Sequence, residues 1–195
     1  MNKIIKMFYD IETTGVNVRR HSIHQIAGYI EIDGAIVEEF NIKSQPHPKC
    51  EYDPIALKTC KVTEEQLKGY QPMKEAHREL INILDKYVDR YDKTQKMFQV
   101  GFNNRAFGDV FLRAWFEQCG DRFYTSWFWS DSLDVMVLAS EYLINRRSQM
   151  PSFKLKRVAK ELGIKVDETK LHDAFYDVFL TREIYMIATG LEIEV

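Results

Sequence analysis

The chain has 195 residues, 45% of them hydrophobic and 13% aromatic, enough for one buried core; no composition shift marks a linker, so residues 1–195 read as a single domain. A net charge of −2 excludes a globally basic binder of polyanions and leaves only local patches for such contacts. Cys50, Cys60 and Cys119 are odd in number and lack metal or redox spacing, and no stretch is apolar over a membrane-spanning length, so the chain reads as soluble and cytoplasmic with structural thiols.

Ile4 to Glu12 is an apolar run that predicts a buried first strand. His24–Ile32 and Ala35–Ile42 are β-rich runs joined at Asp33-Gly34, a strong hairpin signal, so the first three strands form an antiparallel meander. A polar connection from Gln45 to Pro54 leads to Thr63-Glu64-Glu65-Gln66, which has the form of a capping box and starts a short helix. Pro72 suits the first turn of a longer helix whose apolar stripe is Ala76, Leu80, Ile83, Leu84 and Tyr87. Met97–Phe102 reads as a fourth, buried strand, and Phe107–Gln118 as an amphipathic helix leaving it. Leu133–Leu143 predicts another helix. Ser152 is placed to cap a helix ending at Gly163, and a final helix runs from about Asp173 to Ala188. Strands first, then alternation, give an α/β fold: a mixed sheet, antiparallel meander plus parallel strands, flanked by helices.

Asp10 and Glu12 stand two residues apart at the end of the first strand, so their side chains share one face. Two like charges that close in a partly buried place are costly unless a cation lies between them, which makes a divalent metal site the first hypothesis. Near the other end stands Leu171-His172-Asp173-Ala174-Phe175-Tyr176-Asp177. Five helical steps turn about 140° from the starting face, so His172 and Asp177 converge only if His172 sits just before the helix. A capping histidine and a solvated aspartate would explain each alone; beside the first pair they read as one site.

These residues carry a family resemblance. Asp10-x-Glu12-Thr-Thr-Gly resembles the first motif of the DEDD exonucleases, and His172-x-Ala174-x-x-Asp177 resembles the third motif of their histidine-bearing, DnaQ-like branch. Gly101-Phe102-Asn103-Asn104-Arg105-Ala106-Phe107-Gly108-Asp109 is similar to the second motif, in the form found in the bacterial exonuclease I branch. Trp129–Met136 adds a local similarity to that branch, and Asp53-Pro54-Ile55-Ala56-Leu57 with Val62-Thr63 resembles the connection after the third strand. The resemblance spans nearly the whole chain. It implies an RNase H-like fold and metal-dependent removal of nucleotides from nucleic-acid 3′ ends, most simply of single-stranded DNA.

By resemblance, Asp10, Glu12 and Asp177 hold two Mg²⁺ or Mn²⁺ ions, hard cations suited to carboxylate oxygens. His172 is the general base, with an ordinary pKa of about 6.5 that fits proton transfer near neutrality. Thr13, Thr14, Gly15 and Asn104 fall at substrate-contacting positions. Asp131 and Asp134 read as structural, and Phe8, Tyr9, Phe102 and Phe107 as mostly core. Arg146, Arg147, Lys154, Lys156, Arg157 and Lys160 form a solvated face by default and a phosphate-steering patch by resemblance.

One position departs from the pattern. The family's second motif places an aspartate directly after the phenylalanine; here Phe107 is followed by Gly108, with Asp109 one place later. One helical step rotates a side chain by about 100°, so Asp109 can serve as a metal ligand only through an irregular helix start. Two alternatives stand at this point: Asp109 has taken the role, or the site is weakened and the chain binds nucleic acid more than it cleaves it. An exoribonuclease or oligonucleotide-trimming enzyme is a further alternative.

Overall fold

A computed structural model describes residues 3–191 and contains a five-stranded sheet in the order β3-β2-β1-β4-β5. The strands are β1 (Ile5–Thr13), β2 (Ile23–Ile32), β3 (Ala35–Lys43), β4 (Phe98–Gly101) and β5 (Leu133–Asp134). β2 runs antiparallel to both β1 and β3, whereas β4 runs parallel to both β1 and β5. The meander follows from the Asp33-Gly34 turn, whose two residues have positive φ of 50° and 93°, as a two-residue hairpin requires.

Between β3 and β4 lie α1 (Pro54–Thr59), α2 (Glu64–Lys68) and α3 (Met73–Leu84). Thr63 and Gln66 form the full capping box at α2. After β4 come a π-helical turn (Asn104–Gly108), α4 (Asp109–Gln118), α5 (Tyr124–Trp127), α6 (Val135–Tyr142), α7 (Leu155–Glu161) and α8 (Ala174–Thr189).

Two sequence expectations need correction. Leu133 and Asp134 belong to a short fifth strand, because Asp134 is extended and its carboxylate caps α6 at the Met136 amide. α7 starts at Leu155 with Lys154 at its N-cap and no side-chain cap, so Ser152 lies too far upstream to cap it.

β1 is the central strand, and its alternation divides the core in two. Met7, Tyr9 and Ile11 pack with Leu80, Leu84, Leu112 and Trp115 on the α3/α4 side. Phe8 packs with Val135, Val178, Ile184 and Tyr185 on the α6/α8 side. Asp10 and Glu12 follow Phe8 in the same alternation and therefore leave β1 toward α8. The order of residues in one strand thus decides which helix faces the carboxylates.

Candidate active site

Asp10 and Glu12 lie at the end of β1, opposite Ala27 and Gln25 of β2. Asp177 comes from the first turn of α8, which Asp173 fixes by accepting hydrogen bonds from the Phe175 and Tyr176 amides. One carboxylate oxygen from each of Asp10, Glu12 and Asp177 lies within 4.8 Å of the others. Asp177 Oδ1 is buried without a hydrogen-bond partner. Three carboxylate oxygens this close, with a buried Asp177 oxygen lacking a partner, fit a hard divalent cation.

The electrostatics agree. Burial, then the neighbouring Glu12 and Asp177 charges, holds the Asp10 carboxyl well above the ordinary range. Burial pushes Glu12 up to about 7, against the opposing hydrogen bond from the Cys60 thiol, and burial raises Asp177 to about 6. Without a positive charge between them, the three acids share protons instead of all ionising near neutrality. A bound cation removes that cost.

His172 immediately precedes the N-cap of α8 and has φ of 64°, in the left-handed region. That residue thus sits in a turn before the helix, the placement its spacing from Asp177 requires. His172 and Asp177 line the same cavity of about 390 Å³, together with Lys154, Lys156, Arg157 and Lys160. Burial, then the Lys61, Lys154 and Lys156 charges, lowers the His172 pKa. The imidazole is therefore neutral at pH 7 and able to accept a proton. On its other side His172 borders a larger cavity of about 800 Å³ that also includes Tyr29, Cys60, Lys61, Tyr70 and Tyr176.

Asp109 lies apart from this cluster. The irregular helix start is present, with the Asp109 amide donating to the Asn104 carbonyl across a π-type turn. It carries the carboxylate elsewhere, however. Asp109 Oδ1 accepts from the Tyr9 hydroxyl at 2.6 Å and from Asn104 Nδ2 at 3.2 Å, while Oδ2 accepts from Ser132 Oγ at 2.5 Å. The expected metal role of Asp109 finds no geometric support, because the three acids that converge are Asp10, Glu12 and Asp177. Asn104 is engaged with Asp109 in the same network, and its Oδ1 is buried without a partner.

The Thr13-Thr14-Gly15 segment continues β1 past Glu12. Thr13 Oγ1 donates to the Gly15 carbonyl, Thr14 Oγ1 to the Glu51 carbonyl, and the Thr14 amide to the Ser22 carbonyl. These groups shape the loop beside the carboxylates with their own hydrogen bonds already made. Asp134 is structural, as expected: besides capping α6 it accepts from the Asn103 amide, tying β5 to the second motif. Asp131 is exposed.

Sequence reasoning missed Cys60 and the polar role of Tyr9. Cys60 Sγ donates to Glu12 Oε2 at 2.8 Å, across 48 residues of chain, and no local spacing signals that pairing. The Tyr9 ring is core, as expected, but its hydroxyl serves the second motif. Here a signal existed: a tyrosine one place before Asp10, in an otherwise apolar strand, must find a partner when buried.

Escherichia coli exonuclease I in complex with a dT13 oligonucleotide superposes with a TM-score of 0.74 at 19% identity, covering 97% of this chain and 41% of that one. A product-bound exonuclease I gives 0.75 at 17%, covering 97% and 44%, and the moderately thermophilic exonuclease I of Methylocaldum szegediense gives 0.73 at 18%, covering 98% and 41%. The chain therefore spans about two fifths of the length of these enzymes and shares the fold of that part. No curated protein sequence matches it significantly. The sequence pattern of the exonuclease family designated RNase_T matches residues 7–185, nearly the whole chain, and the DnaQ-like resemblance of the motifs agrees with it: the chain belongs to the RNase_T exonuclease family.

Proposed function

We propose that this chain is a metal-dependent 3′–5′ exonuclease that hydrolyses single-stranded DNA from its 3′ end. The observation that carries the reading is the convergence of Asp10, Glu12 and Asp177 within 4.8 Å beside His172 at the head of α8. Asp10, Glu12 and Asp177 would hold Mg²⁺ or Mn²⁺, two ions in the working complex. Bound cations supply Lewis-acid polarisation of the phosphate and a more acidic attacking water.

The protein's own groups do the rest. His172, held neutral by burial and three lysines, takes a proton from the attacking water. The water oxygen forms a bond to phosphorus as the bond to the 3′ oxygen breaks in line, leaving a 5′-phosphorylated nucleotide and a new 3′ hydroxyl. Lys154, Lys156, Arg157 and Lys160 line the cavity beside His172; Glu168 pairs with Lys156 and Lys160, and Glu161 with Arg157, so four cations against two acids leave a modest positive field for the phosphate backbone despite the overall charge of −2. DNA is favoured over RNA because exonuclease I, whose structures share this fold, is seen with dT13 and dA16 oligonucleotides.

The test is a 5′-labelled oligonucleotide incubated with Mn²⁺ or Mg²⁺ and resolved by length. A ladder shortening from the 3′ end of single-stranded DNA, abolished by a chelator, is the expected result. Shortening of RNA alone would move the substrate assignment. Binding without cleavage would favour the second reading, a weakened nuclease, which the glycine at position 108 supports.

A further inference from the structure

Gly108 is buried and helical, with φ −57° and ψ −50°, a conformation any residue adopts. Glycine there costs about 1 kcal/mol relative to alanine, so the backbone does not call for it. Its surroundings do. A Cβ built at position 108 would lie 2.8 Å from the Tyr9 hydroxyl oxygen, 3.3 Å from Tyr9 Cζ and 3.4 Å from Asn104 Cβ. The Tyr9 hydroxyl has little freedom to retreat, because its ring is buried in the α3/α4 side of the core and its proton is committed to Asp109. Asp109 is fixed in turn by Ser132 from beside β5 and by Asn104 within the π turn.

We propose that Tyr9, Gly108 and Asp109 form one positioning unit. Asp109 holds the second-motif turn against β1 through the Tyr9 hydroxyl and does not bind a cation, and residue 108 is glycine because that hydroxyl occupies the space of its side chain. Tyr9 directly precedes Asp10. Anchoring its ring fixes the end of β1, and with it the direction in which the Asp10 carboxylate leaves the strand. The second motif therefore contributes orientation to the acidic cluster, and the cluster itself is made of three carboxylates. This inference rests on the reading of Asp10, Glu12 and Asp177 as the cation site.

Two measurements test it. In the first, Mn²⁺ binding to the parent, Asp109→Ala and Asp109→Asn proteins is followed by calorimetry, without nucleic acid. Loss of a ligand's own hydrogen-bond partner weakens metal binding by about 10-fold or more; Asp109 acts one step further out, through Tyr9, so Asp109→Ala should fall at the lower end, about 10-fold less tight. Asp109→Asn should stay within about threefold of the parent, because the amide oxygen still accepts the Tyr9 hydroxyl. A direct ligand would not be rescued by asparagine, so equal losses in the two variants overturn the proposal. A lower melting temperature with unchanged Mn²⁺ affinity in both variants overturns it as well, leaving Asp109 merely structural.

The second measurement needs no metal. Gly108→Ala should lower the melting temperature of the parent, and in a Tyr9→Phe background, where the oxygen at 2.8 Å is gone and the ring carbon at 3.3 Å remains, the loss should shrink by about 2 °C or more. An equal loss in both backgrounds overturns the claim that the Tyr9 hydroxyl excludes a side chain at 108. If the parent binds no Mn²⁺, the cation reading fails, and so does the orienting role given to Asp109. The thermal cycle still decides the Tyr9–Gly108 exclusion.

Discussion

Asp109 and the Asp10, Glu12 and Asp177 cluster are built in opposite ways. Asp109, on the second-motif side, has both oxygens engaged by hydroxyl and amide donors. Asp10, Glu12 and Asp177, on the α8 side, face one another; Glu12 has the Cys60 thiol, and Asp177 keeps a buried oxygen with no partner. A saturated carboxylate stabilises the fold that supplies its donors. A crowded, under-donated set weakens the fold until a cation arrives. The chemistry of an aspartate is thus decided by what donates to it, and residue type alone does not reveal which kind it is.

The largest effect that would break this contrast lies at the crowded site. Asp10→Asn keeps the shape and removes one charge, so the proposed cleavage should fall by about 10³-fold, several kcal/mol of lost transition-state stabilisation. The Mn²⁺-induced rise in melting temperature should shrink with it. Full activity in that variant would show the α8 side to be as structural as the Asp109 side. Next in size is His172→Ala, for which a loss of roughly 10²-fold in turnover is expected with oligonucleotide affinity nearly unchanged. Because burial and Lys61, Lys154 and Lys156 lower the His172 pKa, turnover should persist somewhat below pH 6.5 and be lost as pH falls through that lowered value. Equal losses in affinity and rate would assign His172 to substrate contact.

How much of this was legible in the sequence follows the same division. The meander, the two-residue turn at Asp33-Gly34, the capping box at Thr63 and the start of α8 depend on neighbours in the chain, and local chemistry specifies them. The pairing of Asp10 with Glu12 follows from strand alternation, and the place of His172 from its spacing to Asp177. The fifth strand was hidden because it is two residues long and continuous with an apolar helix. The destination of Asp109 was hidden for another reason. It depends on Tyr9, 100 residues away, and on a π turn whose extra residue no periodicity announces.

A smaller effect sharpens the comparison through stability. Glu12, at about 7, and Asp177, at about 6, lie above the ordinary carboxylate values that the unfolded chain would show. Between about pH 4 and pH 7 these two acids therefore bind more protons in the folded protein than in the unfolded one, and their contribution to metal-free stability falls as pH rises through that window, against the opposite contribution of His24, which burial lowers to about 4. Below it both states are protonated, and above it the cost is fully present. Excess Mn²⁺ should flatten the decline, because its binding favours the folded, deprotonated form. Chemical denaturation at several pH values, with chelator and with Mn²⁺, measures both curves. If the stability difference between the metal-free parent and Glu12→Gln does not change from pH 5 to pH 7, the three acids are not crowded.

The smallest effect concerns Cys60, the side-chain donor to Glu12. Its thiol lies 2.8 Å from Glu12 Oε2, and burial holds the thiol pKa far above its ordinary value, so sulfur keeps its proton and donates. That hydrogen bond favours the ionised form of Glu12 and opposes the upward push of burial. Removing it in Cys60→Ala should raise the Glu12 pKa further, by up to about one unit, since a hydrogen bond of this kind is worth about 1 kcal/mol. Mn²⁺ must displace that proton to bind. Affinity at pH 7 should therefore drop several-fold in Cys60→Ala and return to the parent value near pH 9, where Glu12 is ionised in either protein. Cys60→Ser retains a donor and should follow the parent at both pH values. If alanine and serine behave alike at pH 7, the thiol only fills space and does not hold Glu12 in its ionised form.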